Sequence, residues 1–343
     1  MLLAVYVPLA TSVVLGLVAA PLARRMMPRA AAWTLGCAGP VAAGGWVGAL
    51  TLLAVNGFGR LHAIAVLGHW SARALRAADP IGAVVADAGV VLLALTVLAV
   101  SVAAWWRARS LLAAYRECRR LPGGGELTVI DDARLEAFTL AGFPGRMVVS
   151  TGMLSALNED ERRALLAHER SHLHHRHFLF LLAVQLAATA CPLLLPLARE
   201  GAFVLERWAD EDAAEHVGDR GVTARAVARA AVARKQAGTG CGVGAGRGPA
   251  AVMTADGGPV LRRVRALLAP APRPHRAPLA AFAVLLLVCW ACLAGAAQDT
   301  QRLFVVAKIA KYAHTAEPIR APAISRNASG RAPSPGVAGT SGG

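Results

Sequence analysis

Apolar positions in this chain gather into long runs separated by short polar breaks. A run needs about 20 residues to cross the hydrocarbon of a bilayer. Four runs reach that length, at about Leu2 to Leu22, Ala31 to Val55, Ile81 to Trp105 and Pro278 to Ala297. Nothing basic precedes Arg24, so the first reads as a membrane span rather than a cleaved signal peptide. The second is rich in Gly and Ala, which let helices pack closely. The third ends in Trp105-Trp106-Arg107, an interfacial anchor. A fifth run, Phe178 to Leu197, contains Pro192 and Pro196, which interrupt helical hydrogen bonding. The pattern predicts three membrane helices in 1–105, a polar domain in 106–276, a last span in 277–297 and a tail in 298–343. Within the polar domain, Arg146–Ser150 reads as an apolar strand and Gly238–Gly258 as a flexible loop. In the tail, Leu303–Tyr312 is amphipathic and suits a membrane surface, and disorder is expected beyond Pro318. Asn327-Ala328-Ser329 fits a glycosylation sequon, a weak pattern.

Composition agrees with the pattern. Hydrophobic residues make up 56% of 343 and charged residues only 17%, whereas soluble domains carry about 25% charged residues. Disorder and an ordinary soluble enzyme are both disfavoured. The net charge of +15 could suggest nucleic acid, but it fits membrane-flanking loops better, so no nucleic-acid partner is expected. Arg24, Arg25 and Arg29 follow the first span, and Arg107, Arg109, Arg116, Arg119 and Arg120 follow the third. Both groups belong inside by the positive-inside rule. The loop Asn56–Pro80, despite Arg60, Arg73 and Arg76, then lies outside with both chain ends. The reading is a multi-pass plasma-membrane protein with its polar domain in the cytoplasm. Six scattered cysteines suggest no disulfide framework, and Cys289 and Cys292 sit in an apolar run as packing residues. Asp87 is a charge inside the third span, close enough to its outer end to snorkel. His62 and His69 read as surface residues of the outer loop.

Candidate chemistry centres on His168-Glu169-Arg-Ser-His172. H-E-x-x-H on a helix puts two imidazoles on one face, one turn apart, where both can bind one zinc ion. Glu169 beside them can take a proton from a water held by the metal. Asn158 before Glu159, Asp160 and Glu161 gives an N-cap and a capping box, so a helix is expected from Glu159 to His177. Leu165 would bury the face shared with the two histidines. His174, His175 and His177 also permit a bland reading, a His-rich helix at a membrane surface. A catalytic zinc needs a third protein ligand. Glu206 and Asp210, at i and i+4, offer a ligand and an acid that would fix a histidine tautomer. Glu211 and Glu215 repeat the spacing as a rival pair. A zinc shared by His172 and Glu206 forbids one full crossing by 178–197. That stretch must then re-enter, lie at the interface, or form a tight hairpin broken near Pro192.

These motifs resemble the integral-membrane zinc metallopeptidases of the BlaR/MecR type, the beta-lactam-sensing antirepressor proteases. HtpX and the CAAX-processing membrane proteases are more distantly similar. The likeness rests on His168–His172, on Glu206-Arg-Trp-Ala-Asp210, on the lead-in Ala137–Leu157 and on the basic segment Leu261–Leu268, within about 105–297. It implies a mainly α membrane protein with about four transmembrane helices and a cytoplasmic α+β zincin-like protease domain. It implies His168, His172 and Glu206 as zinc ligands, Glu169 as general base and Asp210 as supporting acid. The implied activity is a zinc endopeptidase that cleaves a protein substrate, such as a repressor, at the cytoplasmic membrane face. A quality-control protease and a non-catalytic receptor or scaffold are the alternatives. Arg146–Ser150 could pair with an extended substrate by strand addition. The family often carries an acid where this chain has His177. Only 46 residues follow Ala297, too few for a penicillin-binding sensor, so beta-lactam sensing is not implied.

Overall fold

A computed structural model describes residues 2–78, 82–121, 125–140, 142, 145–240, 258–270 and 277–315. Of the expected loop Gly238–Gly258, the two ends belong to helices that run to Gly240 and from Gly258, and residues 241–257 lie outside the described residues, as do the tail beyond Pro318 and the sequon. Helices α1 (Leu2–Ala23) and α2 (Pro28–Gly59) come first, followed by the short α3 (His62–Leu67) and α4 (Ala72–Ala78) and the long α5 (Ala83–Arg120). Strands β1 (Leu127–Ile130), β2 (Ala137–Leu140) and β3 (Arg146–Ser150) precede α6 (Thr151–Ser155) and α7 (Glu159–His174). Helices α8 (His177–Ala190), α9 (Leu195–Val217), α10 (Arg220–Gly240), α11 (Gly258–Leu268) and α12 (Ala277–Thr315) complete the described chain.

Among the described residues, four helices (α1, α2, α5 and α12) are long and apolar enough to cross a membrane. Two extend well past the apolar runs that predict them. Helix α5 continues beyond Trp105 to Arg120, and α12 continues beyond Ala297 through the amphipathic segment. Hydropathy marks where the apolar face ends. It does not mark where helical hydrogen bonding ends.

The Phe178–Leu197 run forms a wedge. Helix α8 has 14 residues, so it rises about 21 Å, short of a ~30 Å hydrocarbon layer. The chain reverses through Cys191 and a 3₁₀ turn, Pro192–Leu194, and returns as α9. Proline at the start of both the turn and α9 suits this reversal, because the first turn of a helix leaves that N–H unbonded anyway. Val184, Ala187, Ala190, Cys191, Leu194 and Leu197 pack against Leu15 and Ala19 of α1 and Leu35, Ala38 and Ala42 of α2. The tip reaches the middle of α1. A Cβ on Gly16 would stand 2.5 Å from the Leu193 carbonyl oxygen, so only glycine permits this approach.

The three strands form one sheet in the order β1-β3-β2, with β1 parallel and β2 antiparallel to β3. This corrects the expectation that Arg146–Ser150 pairs with substrate. Strand β3 is central and both of its edges are taken. The apolar, doubly buried pattern of Met147, Val148 and Val149 that suggests a strand is itself the mark of a central one. Edges remain on β1 and β2, and β2 is the one packed beside α7. Ser150 ties the end of β3 to its surroundings. Its hydroxyl accepts from Glu136 N and Met153 N, each at 3.1 Å, and donates to the Arg134 carbonyl.

Helix α7 lies over this sheet through a core of Met147, Val149, Met153, Leu157, Leu165 and Ala230. Its N-terminus has the expected capping box. Asn158 Oδ1 accepts from Glu161 N at 2.9 Å, and Glu161 Oε2 accepts from Asn158 N at 3.1 Å. Such caps contribute about 1 kcal/mol. Glu161 is buried and also binds Arg229 of α10 at 2.7 Å, so the cap fastens a second helix. The helix stops earlier than the expected His177. His175 caps it, and Arg176 takes a left-handed conformation at φ 51°.

Candidate metal centre

The i, i+4 spacing on α7 brings His168 Nε2 and His172 Nε2 to 3.1 Å from each other. Helix α9 supplies the third group. Glu206 Oε2 lies 3.6 Å from His168 Nε2, and Glu206 Oε1 lies 3.5 Å from His172 Nε2. Two bonds of about 2.05 Å at a tetrahedral angle separate their ligand atoms by about 3.3 Å. With one ligand atom from each within 4.8 Å of the others, the three side chains are compatible with a two-imidazole, one-carboxylate zinc site. They are the group among the described residues that could hold a metal ion. The histidine side chains are 11% and 16% exposed and that of Glu206 is 40% exposed, so the site opens on the carboxylate side. Glu169 is buried in the next position of α7, and its charge acts on His172 and Arg263.

Asp210, one turn after Glu206, stands behind His168. Its Oδ1 lies 3.0 Å from His168 Nδ1 in a close but non-linear approach. That nitrogen faces away from the other two ligand atoms, as a supporting acid requires. The rival pair does not enter the site. Glu211 binds Arg220 at 2.9 Å, and Glu215 is exposed. Cys289 is buried and Cys292 half-buried among packed helices, both as free thiols. Asp87, His62 and His69 are exposed.

Two residues at the site escape sequence reasoning. Arg263 of α11 forms two hydrogen bonds to Asp210, Nε to Oδ2 at 2.8 Å and Nη2 to Oδ1 at 2.6 Å. Its third nitrogen, Nη1, lies 2.9 Å from Glu206 Oε2. Neighbouring Arg262 binds Glu200 through both oxygens at 3.1 Å and sits 3.8 Å above the Phe203 ring. Arg220 caps the far end of α11 at Ala266 O and Leu267 O. Helix α11 is thus fastened along α9 by ion pairs. The need for a cation near two neighbouring carboxylates, one of them buried, is the signal that could have pointed to it. The second residue is His177, whose Nδ1 lies 2.8 Å from His172 Nδ1.

The local fields set the protonation states. For His168, burial acts to lower the pKa, but the Asp210 and Glu206 carboxylates beside it outweigh burial and raise the ring to about 9. Burial, with His168 nearby, holds His172 below its ordinary value. Burial would raise Glu206 and Asp210. His172 and Arg263 for the first, and Arg263 for the second, keep both below the usual carboxylate range. Without metal, His168 thus carries a proton at neutral pH while the other ligands do not. A ligand must lose its proton to bind a metal. Zinc uptake at pH 7.5 is expected to release about one proton, and apparent affinity to rise about tenfold per pH unit until it levels near pH 9. Indicator-dye titration in weak buffer measures both. Release of no proton would show that His168 is already neutral. The same raised pKa stabilises the metal-free fold fully below about pH 6.5, and that contribution fades as pH rises through 9.

A buried H-E-x-x-H helix, a carboxylate from a second helix and an acid behind the first histidine make up a group that could hold a metal ion. Residues 104–203 match the model of Peptidase family M48, and this match supports a metallopeptidase function. The peptidases of that family are generally zinc enzymes. The matched segment includes His168, Glu169 and His172 but ends before Glu206, so the third ligand rests on geometry. No curated protein and no solved structure matches the chain.

Proposed function

We propose that this chain is a zinc-dependent endopeptidase acting at the cytoplasmic face of the plasma membrane on an extended segment of a protein. The observation that carries the reading is that His168, His172 and Glu206 each bring a ligand atom within 4.8 Å of the others. When bound, zinc supplies a Lewis acid for the scissile carbonyl and lowers the pKa of water toward ~7. Glu169 takes the proton of the attacking water and passes it to the leaving amine. Asp210 holds the His168 ring in register, and Arg263 holds Asp210 and Glu206. Strand β2, with a free edge beside α7, receives the substrate backbone by strand addition.

The cytoplasmic placement draws on charge. Arg29, in the basic stretch after α1, lies 5.8 Å from the Trp208 ring, two residues beyond Glu206. The site thus shares an end of the helix bundle with a stretch that belongs inside by the positive-inside rule. The substrate is a soluble regulatory protein such as a repressor, with damaged membrane proteins as the second class. The test is cleavage of an unfolded model protein by the full chain in detergent micelles. A zinc chelator is expected to abolish cleavage and added zinc to restore it. Zinc bound without any cleavage would favour a receptor or scaffold instead.

A further inference from the structure

His177 departs from the helix that carries the motif, and the departure has a geometric effect. In an unbroken helix, residue i+5 is rotated about 140° from residue i. His177 would then face away from His172. The left-handed Arg176 interrupts α7, so that His177 begins α8 with its ring folded back onto His172. A non-glycine residue is strained in that conformation, so the surroundings must hold it there. His177 is 3% exposed, and its Nδ1 lies 2.8 Å from His172 Nδ1. The ring also packs against Trp208, with centroids 4.7 Å apart.

A hydrogen bond between two imidazole nitrogens needs one donor and one acceptor. His172 presents Nε2 to the other two ligand atoms, so metal binding there leaves the proton on Nδ1. That proton points at His177 Nδ1, which must accept it. His177 then carries its own proton on Nε2, which is buried without a hydrogen-bond partner. The two ligand histidines are therefore backed differently, His168 by the Asp210 carboxylate and His172 by an imidazole.

We propose that His177 is a positioning residue that fixes the tautomer and ring orientation of His172 by accepting its Nδ1 proton. This rests on the metal-site reading above. Partners of this kind typically change metal affinity about 10–100-fold.

The test is zinc affinity, measured by competition with a chromophoric chelator on the purified full chain. His177→Phe keeps an aromatic ring against Trp208 but removes the acceptor. It is expected to weaken zinc binding by about 10–100-fold. His177→Asn gives up the ring but places an oxygen near the former Nδ1, and is expected to return affinity close to wild type. Wild-type affinity in the Phe variant, or lost affinity in the Asn variant, overturns the proposal. His168→Ala separates the two readings. Zinc lost in that variant keeps the metal site standing whatever His177 does, and zinc retained at wild-type affinity removes the site and the proposal together.

Discussion

Glu169→Gln is expected to keep its zinc and to lose peptide cleavage by about 10²–10⁴-fold, the usual contribution of a positioned general base. The amide has nearly the shape of the carboxylate and can still form hydrogen bonds, but it cannot take a proton. Glu169 is buried beside His168 and is not one of the three groups at ligand spacing, so metal content should not follow activity. Zinc per chain and turnover of an unfolded protein, measured on the same preparation, test both halves. Cleavage at the wild-type rate would remove Glu169 from the mechanism. Loss of zinc together with activity would assign it to the ligand shell.

Arg263→Ala is expected to give the largest loss of stability. Asp210 is 1% exposed, and Arg263 supplies the cation that bonds it through two nitrogens. Removing one member of a buried ion pair strands the other, at a typical cost of about 3–5 kcal/mol. Arg263→Lys should recover only part of this, because one ammonium cannot reproduce two parallel bonds to Asp210 and a third to Glu206. Thermal unfolding of the metal-free protein in detergent reads the order wild type, Lys, Ala. An Ala variant as stable as wild type would mean that another group or water replaces the guanidinium. Arg263 also sets how Glu206 is used. It shares Oε2 with His168, while Oε1 faces His172.

What was legible in the sequence is what depends on local spacing. His168 and His172, and then Glu206 and Asp210, are each one helical turn apart, so each pair shares a face wherever its helix packs. The capping box at Asn158 and Glu161 is equally local. The proline pair in 178–197, together with the need for a common metal, limited that stretch to a few topologies, of which the structure adopts a hairpin reversing at Cys191–Leu194. Non-local partners were not legible. The apolar run in Arg146–Ser150 suits a central strand, but nothing in it says that β1 and β2 are the strands on either side. Arg263 lies on a separate helix, far along the chain from Asp210, and its basic neighbours read as a surface stretch. The end of α7 was missed because a positive φ at arginine has no sequence signature of the kind glycine provides.

The distribution of the site along the chain also fixes the order in which a ribosome delivers it. His168, Glu169 and His172 are made first, then Glu206 and Asp210, and Arg263 only later, just before the last apolar helix. The nascent chain can therefore present every ligand before its guanidinium counter-charge exists. During that interval Asp210 has no guanidinium to pair with. Docking of α11 against α9 can follow only once Arg263 has been made.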